Sequence, residues 1–289
     1  MTEGKEKKQG LLSPLRYPGG KRKLAAYIAE AIQKNDLHPR LFVEPFAGGA
    51  SISLYLLEQG LVDQIALGEK DELVVAFWKT VFYDHEWLVE QIEMINPTLD
   101  LWIKFRQSEP QTDREKALKC LFLNRTSFSG ILNHTAGPLG GRKQTSQYPI
   151  NCRFYSQTII NRIKNLAALA DRVRFIQGGD WEETTSRAKK EGFKEREVFF
   201  YFDPPFYLKA ERLYRYWFNN DSHQYLHDQM SKMNSYYILS YDAAQPIIEM
   251  YCSNGSEANR VEILYSVTSS DKRKTEELII SNLPFLPTK

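Results

Sequence analysis

Cysteine is scarce in this 289-residue chain, and its three copies, Cys120, Cys152 and Cys252, lie far apart. No CxxC pair occurs, so the sequence indicates neither a disulfide framework nor a zinc cluster, and a reducing compartment is expected. The five histidines show no metal-ligand spacing. We therefore predict no metal site and no chemistry based on a thiol nucleophile.

Long apolar runs are also missing. No stretch approaches the roughly 20 apolar residues of a membrane-spanning helix, and the N-terminal segment MTEGKEKKQG is polar and charged. We expect a cytoplasmic protein, in a bacterial or phage-infected cell, with no membrane partner. Hydrophobic residues still make up 42% of the chain and aromatic residues 13%, which supplies a core and excludes bulk disorder.

The net charge is small, at +2, and does not by itself predict a polyanionic partner. The mean hides a local asymmetry, because residues 101–160 contain nine basic side chains and three acidic ones. This excess of positive charge is a candidate surface for binding phosphates. A solvated helix face would have the same composition, so both interpretations stay open.

Short apolar strands alternate with helical patterns towards both ends of the chain. Leu41-Phe42-Val43 leads to a glycine turn and a helix, and residues 64–69 form a second strand followed by another helix. Further strands are predicted at residues 173–176, 198–202, 236–240, 261–265 and 278–281. This alternation indicates an α/β fold with a largely parallel sheet covered by helices on both faces.

The pattern changes between about Tyr83 and Tyr155. Helical stretches around residues 102–106 and 117–123 precede a glycine-rich, polar and basic stretch over residues 125–143. That stretch is too long for an ordinary connection. We therefore interpret residues 83–155 as an inserted domain with a binding loop, and residues 1–82 and 156–289 as the main domain.

Ligands of open parallel sheets bind beyond the carboxyl ends of the strands, and three groups of residues are predicted to lie there. The turn Phe46-Ala47-Gly48-Gly49 would let backbone N–H groups approach a ligand, although a plain strand-to-helix turn has the same sequence pattern. It matches neither GxGxxG nor GxxxxGK. Glu69 could accept both hydroxyls of a ribose, with Asp71 as a rival for that role.

A third group follows the apolar run of residues 198–202 and consists of Asp203-Pro204-Pro205-Phe206. The prolines fix φ and remove two backbone donors, which leaves a stiff rim that only accepts hydrogen bonds. The Asp203 carboxylate and the Pro204 carbonyl can accept, and Phe206 offers an aromatic face. The complement is the exocyclic amine of a nucleobase, whereas the alternative is a simple Asx-type turn.

These motifs together resemble the Dam-type DNA adenine-N6 methyltransferases of the D12 class, alpha group. The resemblance extends from Arg16 to about Asn282. Its motifs are Arg16-Tyr17-Pro18-Gly19-Gly20-Lys21, Glu44-Pro45-Phe46-Ala47-Gly48-Gly49-Ala50-Ser51, Asn124-Arg125-Thr126-Ser127-Phe128-Ser129-Gly130, Asp203-Pro204-Pro205-Phe206 and the closing strand Thr275-Glu276-Glu277-Leu278-Ile279-Ile280-Ser281-Asn282.

The resemblance implies a class I S-adenosylmethionine-dependent methyltransferase fold with an inserted target-recognition domain. Lys21 would reach the carboxylate of the cofactor, Glu69 would hold its ribose, and Asp180 would pair with its adenine. Asp203, Pro204, Pro205 and Phe206 would be catalytic. The implied cofactor-binding residues are Tyr17, Lys21, Glu44, Phe46, Ala47, Gly48, Gly49, Glu69, Asp180 and Asp203.

Two positions depart from the family's usual pattern. Phe206 stands where a tyrosine is commonest, so stacking is retained but a hydroxyl hydrogen bond is not. Glu69 stands where aspartate is more usual. Neither change removes the acceptors that the chemistry requires.

The implied substrate is double-stranded DNA, from which the target adenine must be flipped out. Arg125, Asn133, Arg142 and Lys143 are candidate DNA contacts, since arginine can read guanine and asparagine can read adenine. Aromatic and basic residues also alternate after the catalytic motif, where they could either contact DNA or belong to the core: Tyr207, Lys209, Arg212, Tyr214, Arg215, Tyr216 and Trp217.

Several functional alternatives remain at this level. Cytosine-N4 methylation presents the same exocyclic amine, although aspartate at position 203 favours adenine. A catalytically silent DNA-binding homologue is a second alternative. The setting could be restriction-modification, with a cognate endonuclease as a partner that forms no stable complex.

Overall fold

The computed structural model describes residues 13–16, 22–208, 210–252, 259–268 and 271–287. The predicted cofactor residues Tyr17 and Lys21 lie outside the described residues. The strands are β1 (Leu41–Glu44), β2 (Gln64–Glu69), β3 (Val173–Gly178), β4 (Val198–Phe202), β5 (Tyr236–Asp242), β6 (Asn259–Thr268) and β7 (Asp271–Ser281). The helices are α1 (Arg22–Lys34), α2 (Ser51–Glu58), α3 (Glu72–Tyr83), α4 (His85–Met94), α5 (Leu99–Gln107), α6 (Asp113–Thr126), α7 (Ser156–Ala167), α8 (Trp181–Lys190), α9 (Ala210–Leu213), α10 (Asn220–Met230) and α11 (Gln245–Cys252).

The strands form one sheet in the order β3-β2-β1-β4-β5-β7-β6. β1 to β5 pair in parallel, whereas β7 is antiparallel to both β5 and β6. The predicted α/β fold and largely parallel sheet are confirmed. Because β1 pairs with β2 on one side and with β4 on the other, the order in which strands are added reverses between β1 and β4, where α/β sheets bind ligands.

Helices cover both faces of the sheet, so its central strands are buried on both sides. Every residue of β1 and β4 is buried. Side chains of adjacent strand residues point to opposite faces, and Phe199 accordingly packs in the cluster that contains Trp78 while Phe200 packs in the one that contains Trp181. Their continuous apolar sequences are therefore what this architecture requires.

The predicted insertion, residues 83–155, shares its hydrophobic core with the main domain. Its side chains Trp102 and Phe122 belong to the same apolar cluster as Phe42 of β1 and Trp78 of α3. The division into domains stays a prediction, and residues 83–155 pack on the same apolar core as the sheet. Within the described residues, no helix combines the length and the apolar character that crossing a bilayer requires.

Candidate active site

A cavity that is open to solvent lies at the carboxyl edge of the sheet. It brings together most of the cofactor residues predicted from the sequence, since β1, β2 and β4 all end at this edge. The lining residues that were predicted are Glu44, Phe46, Ala47, Gly48, Gly49, Glu69, Asp203 and Pro205. The segment of residues 214–218 closes the opposite side.

The glycine turn after β1 is held by its neighbours in a tight conformation. Gly48 and Ala50 have φ values of 47° and 49°, in the left-handed region that glycine tolerates best. The Ala47 N–H donates to the Gly68 carbonyl at 2.8 Å, and the buried Trp78 indole donates to the Gly48 carbonyl at 2.9 Å. The turn is therefore fixed against β2 and α3.

Glu69 lies at the end of β2 with its carboxylate directed at backbone N–H groups. Oε2 accepts from Gly48 at 2.9 Å, and Oε1 accepts from Lys70 at 2.9 Å and Asp71 at 3.1 Å. Burial, with a smaller contribution from Asp71, raises the pKa of Glu69 to about 7. Oε2 can accept a second hydrogen bond, whereas Oε1 already accepts two.

The rival residue Asp71 has a different function in the structure. It is buried at the N-terminus of α3, where Oδ1 accepts from the Leu73 N–H at 3.0 Å and from Arg215 Nη1 at 2.6 Å. Burial raises the pKa of Asp71, and the Arg215 guanidinium opposes that shift. Asp71 caps a helix and anchors Arg215, which leaves Glu69 as the candidate for the ribose.

Glu44 ends β1 and is almost completely buried. Its Oε1 accepts from the Ser53 N–H, in the first turn of α2, at 2.9 Å. Burial is the main cause that raises the pKa of Glu44 to about 8, and the nearby Asp203 carboxylate adds to the effect. Two carboxyl groups from neighbouring strands thus face the same cavity.

Asp203 follows β4 and lines the cavity beside Glu44. Its Oδ1 accepts from Ser240 Oγ at 3.2 Å, and Ser240 Oγ in turn lies 2.7 Å from the Tyr201 hydroxyl. This chain of hydroxyls comes from β4 and β5 and fixes the orientation of the carboxylate. Pro204 is buried, and the ring of Phe206 meets the ring of Tyr214 edge to face at 6.0 Å.

We call residues 210–218, which comprise α9 and the segment after it, the strap. Arg215 fastens the strap to the start of α3, with Nη1 on Asp71 and Nη2 on Glu72 Oε1 at 2.9 Å. The Tyr216 hydroxyl also donates to Glu72 Oε2 at 3.0 Å. The aromatic and basic residues at 214–217 therefore line the cavity, although Trp217 is still 50% exposed.

Asp180 lies after β3, outside the cavity lining. Lys70 Nζ, which does line the cavity, contacts Asp180 Oδ1 at 2.5 Å. Asp180 also caps α8, where its backbone N–H donates to Glu183 Oε1 at 3.2 Å. Pairing of Asp180 with the cofactor adenine stays a prediction and would require Lys70 to share or release this carboxylate.

The predicted DNA contacts divide into two buried and two exposed residues. Arg125 is buried and donates through Nη2 to the Pro14 carbonyl, and burial lowers its pKa to about 9. Asn133 is also buried and bonded to backbone carbonyls. Both side chains donate their hydrogen bonds within the protein, which does not favour base contacts, and their role in DNA binding stays a prediction. Arg142 and Lys143 are exposed and stay candidates for DNA contacts.

The motif around Asn124 forms a strained turn that presents Phe128. Ser129 and Gly130 have φ values of 56° and 76°, and a Cβ on Gly130 would lie 2.1 Å from the Arg16 carbonyl oxygen. Asn124 Nδ2 bonds both the Arg16 and the Gly130 carbonyl oxygens, at 2.7 and 2.8 Å. Phe128 is left 54% exposed.

Known proteins with similar sequences are methyltransferases. The sequence model of the D12 class N6 adenine-specific DNA methyltransferase family matches residues 17–269. The chain is also similar to the type II methyltransferase M.MjaIII of Methanocaldococcus jannaschii, with 23% identity over 210 residues that cover 66% of this chain and 68% of that protein.

The family match decides between the alternatives that the motifs left open. It specifies N6 of adenine, and therefore not the N4 position of cytosine, and it specifies an enzyme. The open α/β sheet, with its cavity at the carboxyl edge of β1, β2 and β4, is the class I methyltransferase fold. This chain belongs to the D12 class N6 adenine-specific DNA methyltransferase family and is a sequence-specific adenine methyltransferase.

Proposed function

We propose that the cavity binds S-adenosylmethionine and that Asp203 and Pro204 hold the amino group of a flipped-out adenine in duplex DNA beside it. The observation that carries this proposal is the position of Asp203, next to Glu44 and on the same cavity as the glycine turn and Glu69. An acceptor for the target amine and a pocket for the methyl donor are therefore adjacent.

The residues that line the cavity fit this cofactor. Its ribose requires acceptors for hydroxyl groups, and Glu69 Oε2 retains that capacity. Its positively charged sulfur requires a negative environment, and Glu44 and Asp203 provide two carboxyl groups.

S-adenosylmethionine, when bound, supplies a methyl group on a cationic sulfur. The residues of this chain act on the other reactant, whose N6 lone pair is delocalised into the adenine ring. Asp203 accepts one N6–H and the Pro204 carbonyl accepts the other, so that the lone pair can be directed at the methyl donor. The positive charge that develops on N6 is stabilised by the fixed Asp203 carboxylate, and the surplus N6 proton leaves to that carboxylate or to water once the N–C bond has formed. Phe206 stacks on the base.

Duplex DNA would approach on the side of the insertion. Arg142 and Lys143 are exposed there and suited to phosphate groups, which supply most of the sequence-independent affinity. The exposed ring of Phe128 on its strained turn could fill the space that the flipped adenine leaves. We further propose a restriction-modification setting with a cognate endonuclease, on the basis of the type II relative.

The test uses the purified chain, labelled S-adenosylmethionine and unmethylated plasmid DNA, with mass analysis of the digested nucleosides. We expect N6-methyladenine, and we expect Asp203→Ala to reduce the transfer rate by about 10²-fold or more, since one fixed charge stabiliser is lost. Cofactor affinity should change only a few-fold. Asp63→Ala, which removes an exposed aspartate in the turn before β2, is the matched control.

Two results would contradict the proposal. One is methyl transfer by Asp203→Ala at the rate of the unaltered chain. The other is incorporation of label into RNA or protein without incorporation into DNA.

A further inference from the structure

Asn133 lies in a turn of the insertion, and Arg106 of α5 holds this turn by hydrogen bonds. Arg106 donates from Nη1 to the Leu132 carbonyl at 2.9 Å and from Nη2 to the Ala136 carbonyl at 2.7 Å, so it holds both sides of the turn. The guanidinium also lies 5.0 Å from the centre of the Trp102 ring. Asn133 therefore projects from a rigid support, and 1% of its surface is exposed.

The Asn133 side chain reaches out of the insertion and into the strap. Its Nδ2 donates to the carbonyl oxygens of Glu211 and Tyr214, each at 2.7 Å. Its Oδ1 accepts from the Thr135 N–H at 3.3 Å within its own turn. An asparagine amide has two N–H donors, and both are used to hold the strap.

The strap contacts both the catalytic motif and the cofactor side of the cavity. Tyr214 lines the cavity, and its ring meets that of Phe206, the last residue of the catalytic motif, at 6.0 Å. The next residue, Arg215, is fastened to Asp71 and Glu72 on the cofactor side. The backbone at Tyr214 is thus set by Asn133 from one direction and by Arg215 from the other.

We infer that Asn133 is a positioning residue for methyl transfer, which acts from the insertion through Tyr214 to place Phe206 against the target adenine. The inference rests on the proposed function, because it uses the stacking role of Phe206. On this inference, the turn around Asn133, on the side proposed to bind DNA, also determines the geometry of the transfer step. Asn133 does not itself line the cavity, whereas Arg215 does and binds Asp71 and Glu72 directly, so loss of Asn133 should affect the transfer step more than cofactor binding.

The experiment measures the single-turnover rate of N6-methyladenine formation on unmethylated plasmid DNA at saturating DNA and S-adenosylmethionine. Asn133→Ala should lower this rate by about tenfold or more, and should weaken cofactor binding by less than the roughly tenfold expected when Arg215, which lines the cavity, is removed. Asn151→Ala, an exposed asparagine of the same insertion, is the matched control and should leave the rate unchanged. Tyr214→Ala should also lower the rate, because the edge-to-face contact with Phe206 is lost.

A double-mutant cycle separates positioning from general stabilisation. If Asn133 acts through Tyr214, the double variant should be no slower than the slower single variant. Losses that multiply in the double variant, or an Asn133→Ala rate equal to that of the unaltered chain, would overturn the inference. If Asn133→Ala does not fold, Asn133→Asp serves instead, because it keeps the size and the Thr135 contact but has no N–H donors.

The proposed function fails in a different way. An unaltered chain that forms no N6-methyladenine on any DNA would refute the proposed function, whatever the Asn133 variants do.

Discussion

At the scale of single residues, the cavity holds carboxyl groups that the free protein keeps partly protonated. Burial raises the pKa of Glu44 to about 8 and that of Glu69 to about 7. A cation bound beside these groups favours their ionised form and lowers both pKa values. Binding of a positively charged cofactor should therefore release protons.

The first prediction concerns the pH dependence of cofactor binding. Below pH 7 both groups carry a proton that must be lost when the cationic sulfur binds, whereas above pH 8 neither does. The affinity for S-adenosylmethionine should rise with pH between about 6 and 8, relative to that for the neutral demethylated product. Calorimetry in buffers of different ionisation enthalpy measures the released protons.

Glu44→Gln provides the control for this prediction. The variant should release up to one proton fewer and show a flatter pH profile. An affinity ratio that does not vary with pH in the unaltered chain would contradict the argument.

Residue type alone predicted the roles of some side chains and not those of others. Asp203 and Glu69 follow strands whose ends must meet at one edge, and both line the cavity there, as expected from the sequence. Arg125 and Asn133 have the right chemistry for reading bases, but burial directs their donors to the carbonyls of Pro14 and Tyr214. Nothing in a local pattern distinguishes an exposed arginine from a buried one.

At the scale of elements, polar contacts between side chains hold the strap in its position over the cavity. Arg215 holds it to the N-terminus of α3 by an ion pair in which the Asp71 side chain is 8% exposed and that of Arg215 29%. Such partly buried pairs contribute more than exposed ones, and removal of one partner leaves a buried charge.

The second prediction is that Arg215→Ala loosens the strap and weakens cofactor binding. We expect the dissociation constant for S-adenosylmethionine to rise by about tenfold, through a faster dissociation rate. Arg212→Ala, which removes an exposed arginine from the same strap, should change it by less than about twofold. Stopped-flow measurement of cofactor release tests both variants, and equal release rates for the two would contradict this role of Arg215.

At the scale of the whole molecule, the site depends on close packing of helices against the sheet. Gly68 of β2 lies under α8, and a Cβ there would lie 2.1 to 2.8 Å from atoms of the Thr184 side chain. The Gly68 carbonyl also accepts from Ala47 in the glycine turn. A shift of β2 or α8 would therefore move the turn and Glu69 together.

The third prediction is that Gly68→Ala destabilises the protein by about 1–3 kcal/mol, because the added methyl group forces α8 away from the sheet. Gly137→Ala is the control, since a Cβ at Gly137 would meet no atom within 4 Å, and its effect should stay within about 0.5 kcal/mol. Urea unfolding measures both. Equal midpoints for Gly68→Ala and the unaltered chain would show that the contact relaxes without cost.

The sequence by itself determined where the strands lie along the chain and that β1 and β4 are buried on both sides, because each depends on local pattern and on residues that adjoin in the chain. Only the tertiary structure decided that Asn133 and Arg215 hold the strap, since these contacts join residues 78 to 144 positions apart. Such contacts depend on how the insertion packs on the shared core. That packing is set by the summed burial of many side chains and has no local signal in the sequence.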